Sequence, residues 1–387
     1  MENISDSELA GRLLERCLTG KPWPREWLDR LAMGDASRAL LGIVVEGLSD
    51  LFEPRLCVVY ADLFSRAIAR HIPELQSEHL FRRYQRIVKP RVLDRDPALV
   101  HSVFVLSRVT LGADVAVTSI VLDAAKRRFP DAVVYYVGPA KGWELFAGDG
   151  RLRHVPVSYG RGGTLGERLS AFPELRLALS QPESIVIDPD SRLTQLGLLP
   201  VCAEQDYYFF ESRGYGGDSQ DPLPVLTKRW LQATFGVEGA AYIRPLAEQF
   251  EASDVTVSFG VGENQSKRVG GRFEEDLLRK LVQRGGRVLI DKGAGGEEAE
   301  RVERAIAAAG GPVETWEGSF AGFASRIAAS KLYVGYDSAG GHAAAACGVP
   351  MISVFRGEAC ERMFERWRPT GTGPIRVVRG DIGELSW

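Results

Sequence analysis

The run Val334-Gly335-Tyr336-Asp337-Ser338-Ala339-Gly340-Gly341-His342 leads from a strand-like stretch into a small, polar, glycine-rich turn. Ala343–Ala346 and Cys347-Gly348-Val349-Pro350 follow it. Such a turn leaves unpaired N–H groups at the start of a helix. There the helix dipole favours an anion, and glycine lets a phosphate approach the backbone. The same residues also suit a plain helix capped by Asp337 or Ser338. A second run, Leu111-Gly112-Ala113-Asp114-Val115, sets a carboxylate at the head of another helix. Asp114 could take the proton of an attacking hydroxyl or merely cap the helix. In a third, Ser258-Phe259-Gly260-Val261-Gly262-Glu263-Asn264 precedes Ser266-Lys267-Arg268. These cations read as an exposed basic loop or as a charge turned inward, and the sequence leaves open whether Lys267 or Arg268 turns inward. Fourth, Glu297 and Glu298 follow Gly293-Ala294-Gly295-Gly296. Acidic residues there belong in the first turn of a helix.

These groups need elements to hold them. Ser5 and Glu8 form a capping-box pattern ahead of Leu9, Leu13 and Leu14, and Ala39–Leu51 and Leu56–Ile72 carry apolar residues at helical spacing. Residues 1–98 are therefore expected to be a helical N-terminal region. The basic stretch with Arg83, Arg86, Lys89 and Arg91 reads as a solvated face and linker, or as a docking surface for a membrane or an acidic partner. After Pro97 the texture changes. A strand at His101–Leu106, a helix at Val115–Arg128 and a strand at Val133–Val137 form one β-α-β unit, with further strands at Val155–Val157, Ser184–Ile187 and Tyr207–Phe210. A second alternating block follows, with strands at Val255–Phe259, Arg287–Ile290, Val313–Trp316, Lys331–Val334 and Pro350–Phe355. Its helices fall at Phe273–Gln283, Glu297–Ala309 and Ala321–Ser330. Two such blocks predict two parallel-sheet, Rossmann-like α/β domains, at 99–240 and 241–387, facing one cleft, with Gly236–Arg244 near the crossover.

The length of 387 residues agrees with more than one core, and the net charge of −3 gives no sign of nucleic-acid binding. No basic-then-apolar N-terminal segment and no apolar run long enough to span a bilayer are present, so a cytoplasmic protein is expected. Cys17, Cys57, Cys202, Cys347 and Cys360 are scattered, as reduced thiols would be. Gly260-x-Gly262 is not a dinucleotide fingerprint, because Gln265 stands where its third glycine belongs.

The motifs resemble glycosyltransferase family 9, the heptosyltransferases, over about residues 101–380. That family has a strand followed by Asp-Ser-Gly-x-x-His-x-Ala and a Gly-x-Pro. Here Asp337, Ser338, His342, Ala344, Gly348 and Pro350 are in register, with Ala339 in place of the usual glycine. Leu111–Val115, with Phe129-Pro130-Asp131-Ala132 closing its helix, resembles the family's first β-α unit. Glycine lies two residues before the aspartate rather than one, and Ile120 stands where proline is common. The resemblance implies a GT-B fold and a donor site at Asp337, Ser338, Ala339, Gly340, Gly341 and His342, joined by Arg268 and by Glu297 or Glu298. It implies Asp114 as the base and Lys267 as the cation on donor phosphate, with Val269 replacing an aromatic. It also places Arg192 and Gln195 on the acceptor side.

Asp188-Pro189-Asp190 has the Asp-x-Asp form of metal-dependent transferases of the other major fold, but the twin β-α blocks disagree with that architecture. The expected activity is therefore inverting sugar transfer from a nucleotide-diphosphate sugar, ADP-heptose being family-typical, to a hydroxyl on a glycan, protein or small molecule. No metal and no cofactor are expected, and the N-terminal region is a candidate for peripheral inner-membrane or protein docking. A non-catalytic binding or assembly protein of the same fold, and a sugar-nucleotide epimerase, are the alternatives. Arg366-Trp367-Arg368-Pro369 resembles the family's segment after the last main strand and otherwise reads as a surface turn.

Overall fold

The computed structural model of the chain describes residues 4–379 except 161, 263 and 294. Glu263 and Ala294 of the motifs above, and residues 380–387 of the expected C-terminal domain, lie outside the described residues.

Two parallel sheets form the framework. The first contains Ser102–Leu106 (β1), Val133–Gly138 (β2), Leu152–Pro156 (β3), Ser184–Asp188 (β4) and Tyr207–Phe209 (β5), in the order β3-β2-β1-β4-β5. The second contains Val255–Ser258 (β6), Val288–Asp291 (β7), Glu314–Trp316 (β8), Leu332–Tyr336 (β9), Met351–Phe355 (β10) and Ile375–Arg379 (β11), in the order β11-β10-β9-β6-β7-β8. In each sheet the strand order reverses between the first strand and the fourth. Loops leaving the C-terminal ends of those two neighbours diverge, and ligands of open α/β sheets bind in the crevice that results. In the first sheet these strands are β1 and β4. In the second they are β6 and β9. The GT-B architecture of two Rossmann-like halves is as the sequence led one to expect.

β1 is buried on both faces, which is why it reads as a continuous apolar run. Val103 and Val105 share a core with helices Ser119–Arg128 and Leu223–Phe235. Phe104 and Leu106 face the other way, into a core built with Leu13, Leu56, Leu63, Phe64 and Ile68. Those residues come from the helices Asp6–Thr19 and Pro54–His71, so the N-terminal helices are the second covering layer of the first sheet. Ser5 starts this layer as expected, its side chain accepting from the Glu8 N–H at 3.2 Å. Helices Arg25–Leu31 and Ser77–Ile87 complete it, together with a run from Ala36 to Ser49 that is π-helical over Leu40–Val45.

The basic stretch is a solvated face only in part: Arg86 and Lys89 are exposed, while Arg83 and Arg91 turn to the first sheet. Arg83 is buried, donates to the Gly197 carbonyl and lies 4.5 Å from the Tyr207 ring centre. Arg86 pairs with Glu204 at 2.7 Å, Arg91 donates to the Glu204 carbonyl at 3.0 Å and stacks on Tyr208, and Arg95 pairs with Asp206. Cation–π contacts and charged hydrogen bonds thus strap the helical layer to the edge strand β5.

The crossover after Gly236 is stapled to the first half. Arg244 N donates to Leu145 O at 2.7 Å, and the Gly148 amide donates back to Arg244 O at 2.8 Å. Arg366-Trp367 ends a helix, Glu361–Trp367, rather than forming a surface turn. Among the described residues no helix is long and apolar enough to cross a membrane.

Because the helical layer and the first sheet share one core, they should unfold together. Phe64 is fully buried there and stacks on Tyr60 at 4.6 Å. Phe64→Ala should cost about 3–5 kcal/mol and lower the melting temperature of both in one transition by calorimetry. A separate early transition that left the sheets folded would show the helices to be an independent unit.

Candidate functional site at the seam of the two halves

The donor-side loop begins where β9 ends. Asp337 N makes a last bond to Val354 O at 3.0 Å. Ser338 is extended, at φ −159° and ψ 179°, and the helix Ala339–Ala346 follows. Ser338 makes no side-chain capping bond, so the first-turn amides of this helix are left to other acceptors. Lys267, from the loop after β6, reaches across the switch point, with Nζ 2.5 Å from Asp337 Oδ2 and 3.2 Å from Asp337 O. Of the two basic candidates, Lys267 therefore turns to the loop, whereas Arg268 donates to Gln265 in its own turn.

Glu297 is exposed at the start of the helix Gly296–Ala309, while Glu298 is half-buried. A Cβ at Gly260 would stand 2.9 Å from Glu298 Oε1, and one at Gly293 would stand 2.5 Å from its Cδ. Glu298 thus leans over the loops after β6 and β7. Asp291 lies beside it, accepting from Gly293 N at 3.1 Å, with its carboxyl pushed up by burial and by the Glu298 charge. Asp291 closes the second strand of a Rossmann-like unit, where a carboxylate meets ribose hydroxyls. The sequence reading missed it, although an acidic residue ending a strand was the available signal.

The small-residue helix packs directly on the first half. A Cβ at Gly112 would lie 3.3 Å from His342 Cδ2 and 3.4 Å from Ala339 Cα. His342 is 7% exposed, its ring centre 5.9 Å from that of Trp367, and burial holds its pKa down against the opposing charge of Asp337. Gly340 is glycine because a Cβ there would meet the Tyr333 hydroxyl at 2.3 Å.

Asp114 does not stand at a loop tip facing a cleft. It lies in a helix, 1% exposed. Its Oδ1 accepts from Arg108 N at 2.8 Å and Thr118 Oγ1 at 2.7 Å, and its Oδ2 from Ser107 Oγ at 2.8 Å and Tyr136 OH at 3.0 Å. A carboxylate has about four lone-pair sites, and all of these are taken by protein donors. Burial raises its pKa and the four hydrogen bonds oppose that.

Of the acceptor-side candidates, Arg192 is engaged, whereas the buried Gln195 Nε2 has no hydrogen-bond partner. Arg192 pairs with Glu46 of the helical layer, one terminal nitrogen lying 2.9 and 3.0 Å from its two carboxylate oxygens. Gln195 is buried in left-handed backbone (φ 49°), and its main-chain carbonyl accepts from Tyr60 OH at 3.5 Å. Neither side chain faces an open acceptor groove, because the helical layer covers this side of β4. Asp188 accepts from Ser191 N at 2.6 Å and from the Thr194 and Tyr207 hydroxyls. Asp190 accepts from Ser212 at 2.7 Å and Arg213 at 2.5 Å. The two carboxylates of the Asp-x-Asp run thus serve separate internal networks.

The sequence also missed how the seam is closed. Arg366 is 0% exposed and donates to the carbonyls of Asp221 at 2.7 Å and Gly217 at 3.0 Å, and to that of Ser219. Arg362 donates to Phe52 O at 3.2 Å and Gly217 O at 3.1 Å. Trp367 meets Phe52 edge-on at 6.3 Å.

Asp114→Asn should act on stability. The amide nitrogen that replaces one oxygen faces two donors, and each buried group left unpaired costs about 1–3 kcal/mol. Thermal melting should show the loss, and an unchanged melting temperature would contradict the saturated network.

Comparison with known proteins follows the same division. Residues 265–372 match the model of glycosyltransferase family 9 (heptosyltransferase). No curated protein matches the chain. Among solved structures, the glycosyl transferase family 9 protein of Veillonella parvula is 15% identical, covers 73% of this chain and 87% of its own, and gives a TM-score of 0.55. The E. coli heptosyltransferase WaaC with ADP is 18% identical, covering 74% and 95%, with a TM-score of 0.55. E. coli ADP-heptose lps heptosyltransferase II is 17% identical, covering 73% and 92%, with a TM-score of 0.51. At these identities the structures speak for the fold, while the family match spans Lys267 and the whole Asp337–Pro350 motif. The chain is thus a glycosyltransferase similar to those of family 9, the likeness in sequence carried by its donor-side half and the likeness in fold by both sheets.

Proposed function

We propose that the chain transfers a sugar, with inversion and without a metal, from a nucleotide-diphosphate donor to an acceptor hydroxyl. ADP-heptose is the donor that the resemblance favours. The observation that carries this reading is the meeting of Lys267 with the Asp337-Ser338 turn at the switch point of the second sheet. There the first-turn amides of Ala339, Gly340 and Gly341, which Ser338 does not cap, stand beside the lysine, as a diphosphate site requires. Charge developing on the departing diphosphate would be stabilised by groups already in position. Asp291 and Glu298 offer acceptors for the ribose hydroxyls. His342, with its pKa lowered by burial, would be neutral and could donate to phosphate oxygen. Asp114 is assigned a positioning role, holding the Ser107-Arg108 turn against the helix that meets Ala339.

A non-catalytic reading draws on one observation, the saturation of Asp114, which leaves that carboxylate no lone pair for a substrate proton.

Calorimetric titration with ADP, UDP and GDP, with and without magnesium, tests the donor site. ADP should bind best and need no magnesium. Lys267→Ala should weaken it about 10–100-fold, the scale of a hydrogen bond to a charged group. Absence of nucleotide binding under every condition would overturn the phosphate-site assignment.

A further inference from the structure

The linker that leaves the helix Ser77–Ile87 runs beside β5 and the helix Leu223–Phe235, and a narrow cleft remains between the three. Arg86, Lys89, Arg91, Glu204, Tyr208 and Thr234 are among its walls. Its volume is about 80 Å³, several times the roughly 10–15 Å³ that one water needs.

Three cations and one carboxylate face this space. The carboxylate is already neutralised, because Glu204 accepts Arg86 Nε at 2.7 Å on one oxygen and Arg86 Nη2 at 2.8 Å on the other. Arg91 gives its terminal nitrogens to the main-chain carbonyls of Glu204 and Gln205, neutral acceptors that leave its charge uncompensated. Lys89 is exposed, and among the described residues its ammonium makes no hydrogen bond and no ion pair. The cleft therefore holds a surplus of positive charge, with one cation free. Tyr208 adds a second, independent feature. It is 2% exposed, Arg91 lies 4.6 Å from its ring centre, and its hydroxyl has no hydrogen-bond partner among the described residues. Buried phenols ordinarily find a partner. A free ammonium and an unmet hydroxyl donor on one small cleft are what an oxyanion of phosphate size requires.

Arg86 and Lys89 also wall a second, open groove on the helical layer, of about 560 Å³, together with Val58 and Val88. Val58 is exposed there, and so is Val92, the residue after Arg91. The anion cleft and the apolar groove thus share a wall, as a site for a phosphate carried next to hydrocarbon would.

We propose that the cleft holds the phosphate of an anionic phospholipid headgroup, with Lys89 and Tyr208 as its donors, and that the helical layer docks the protein on a membrane surface through it. Each basic residue at such a surface adds to the attraction, and the exposed valines enter the interface beside the headgroup.

The test is co-sedimentation of the full chain with vesicles of phosphatidylcholine, with and without phosphatidylglycerol, alongside calorimetric titration with inorganic phosphate. The protein should bind only the vesicles that contain phosphatidylglycerol. Lys89→Ala should weaken that binding about fivefold, the effect of one basic residue near an anionic surface. Tyr208→Phe should weaken it about tenfold, the scale of a hydrogen bond to a charged group, without lowering the melting temperature, since the hydroxyl it removes has no partner in the protein. Equal binding to both kinds of vesicle, or binding to the anionic ones that both substitutions leave unchanged, overturns the assignment. Binding of inorganic phosphate without binding of vesicles overturns it as well, in favour of a soluble phosphate ester.

Discussion

The close approach of the Ala339–Ala346 helix to the start of the Leu111–Thr118 segment sets the geometry of the seam. At Gly112 there is no room for a larger side chain without moving His342 or the Ala339 backbone. The two switch points are brought together by that contact, one carrying Lys267 and the Asp337 turn, the other carrying Ser107, Arg108 and Asp114. Small residues along the helix are what allow it, since Ala343, Ala344 and Ala345 are buried in a core shared with Val115, Ala116 and Ile120 of the first half. A void or an extra methyl here would be felt at both loops, because close-packed interiors transmit displacement rather than absorb it.

The other contacts across the seam are polar and come from few residues. Arg366 is enclosed and gives its two terminal nitrogens to backbone carbonyls of the 217–221 loop, and Arg362 bridges Phe52 and the same loop. A buried guanidinium is costly unless its donors are met, so these positions tie the donor-side half to one arrangement of the other two parts. The strap of Arg83, Arg86, Arg91 and Arg95 does the same between the helical layer and β5. The result is a three-part assembly in which the N-terminal helices form one wall of the seam.

Most of the framework was legible in the chain itself. The strands and helices of the second block lie within one or two residues of their expected places, because buried parallel strands and amphipathic helices leave different periods in the sequence. β11 and the helices Leu223–Phe235 and Glu361–Trp367 were not read. The proline and glycine around them mark turns more loudly than their apolar spacing marks structure. The Asp337–Pro350 motif was legible as an anion loop because strand, glycine-rich turn and small-residue helix are contiguous in the chain.

What the sequence determined by itself was local: the two α/β blocks, the loop after β9, and a basic pair, Lys267 and Arg268, in the loop after β6. Tertiary structure decided which of two adjacent side chains served. Lys267 turns to Asp337 and Arg268 does not, and Glu298 leans inward while Glu297 faces solvent, because one residue of rotation on a turn or helix changes the face presented. It also decided the state of each carboxylate. Whether Asp114 is free depends on donors from Ser107, Arg108, Thr118 and Tyr136. Those partners are brought together only by packing, so no spacing in the chain records them.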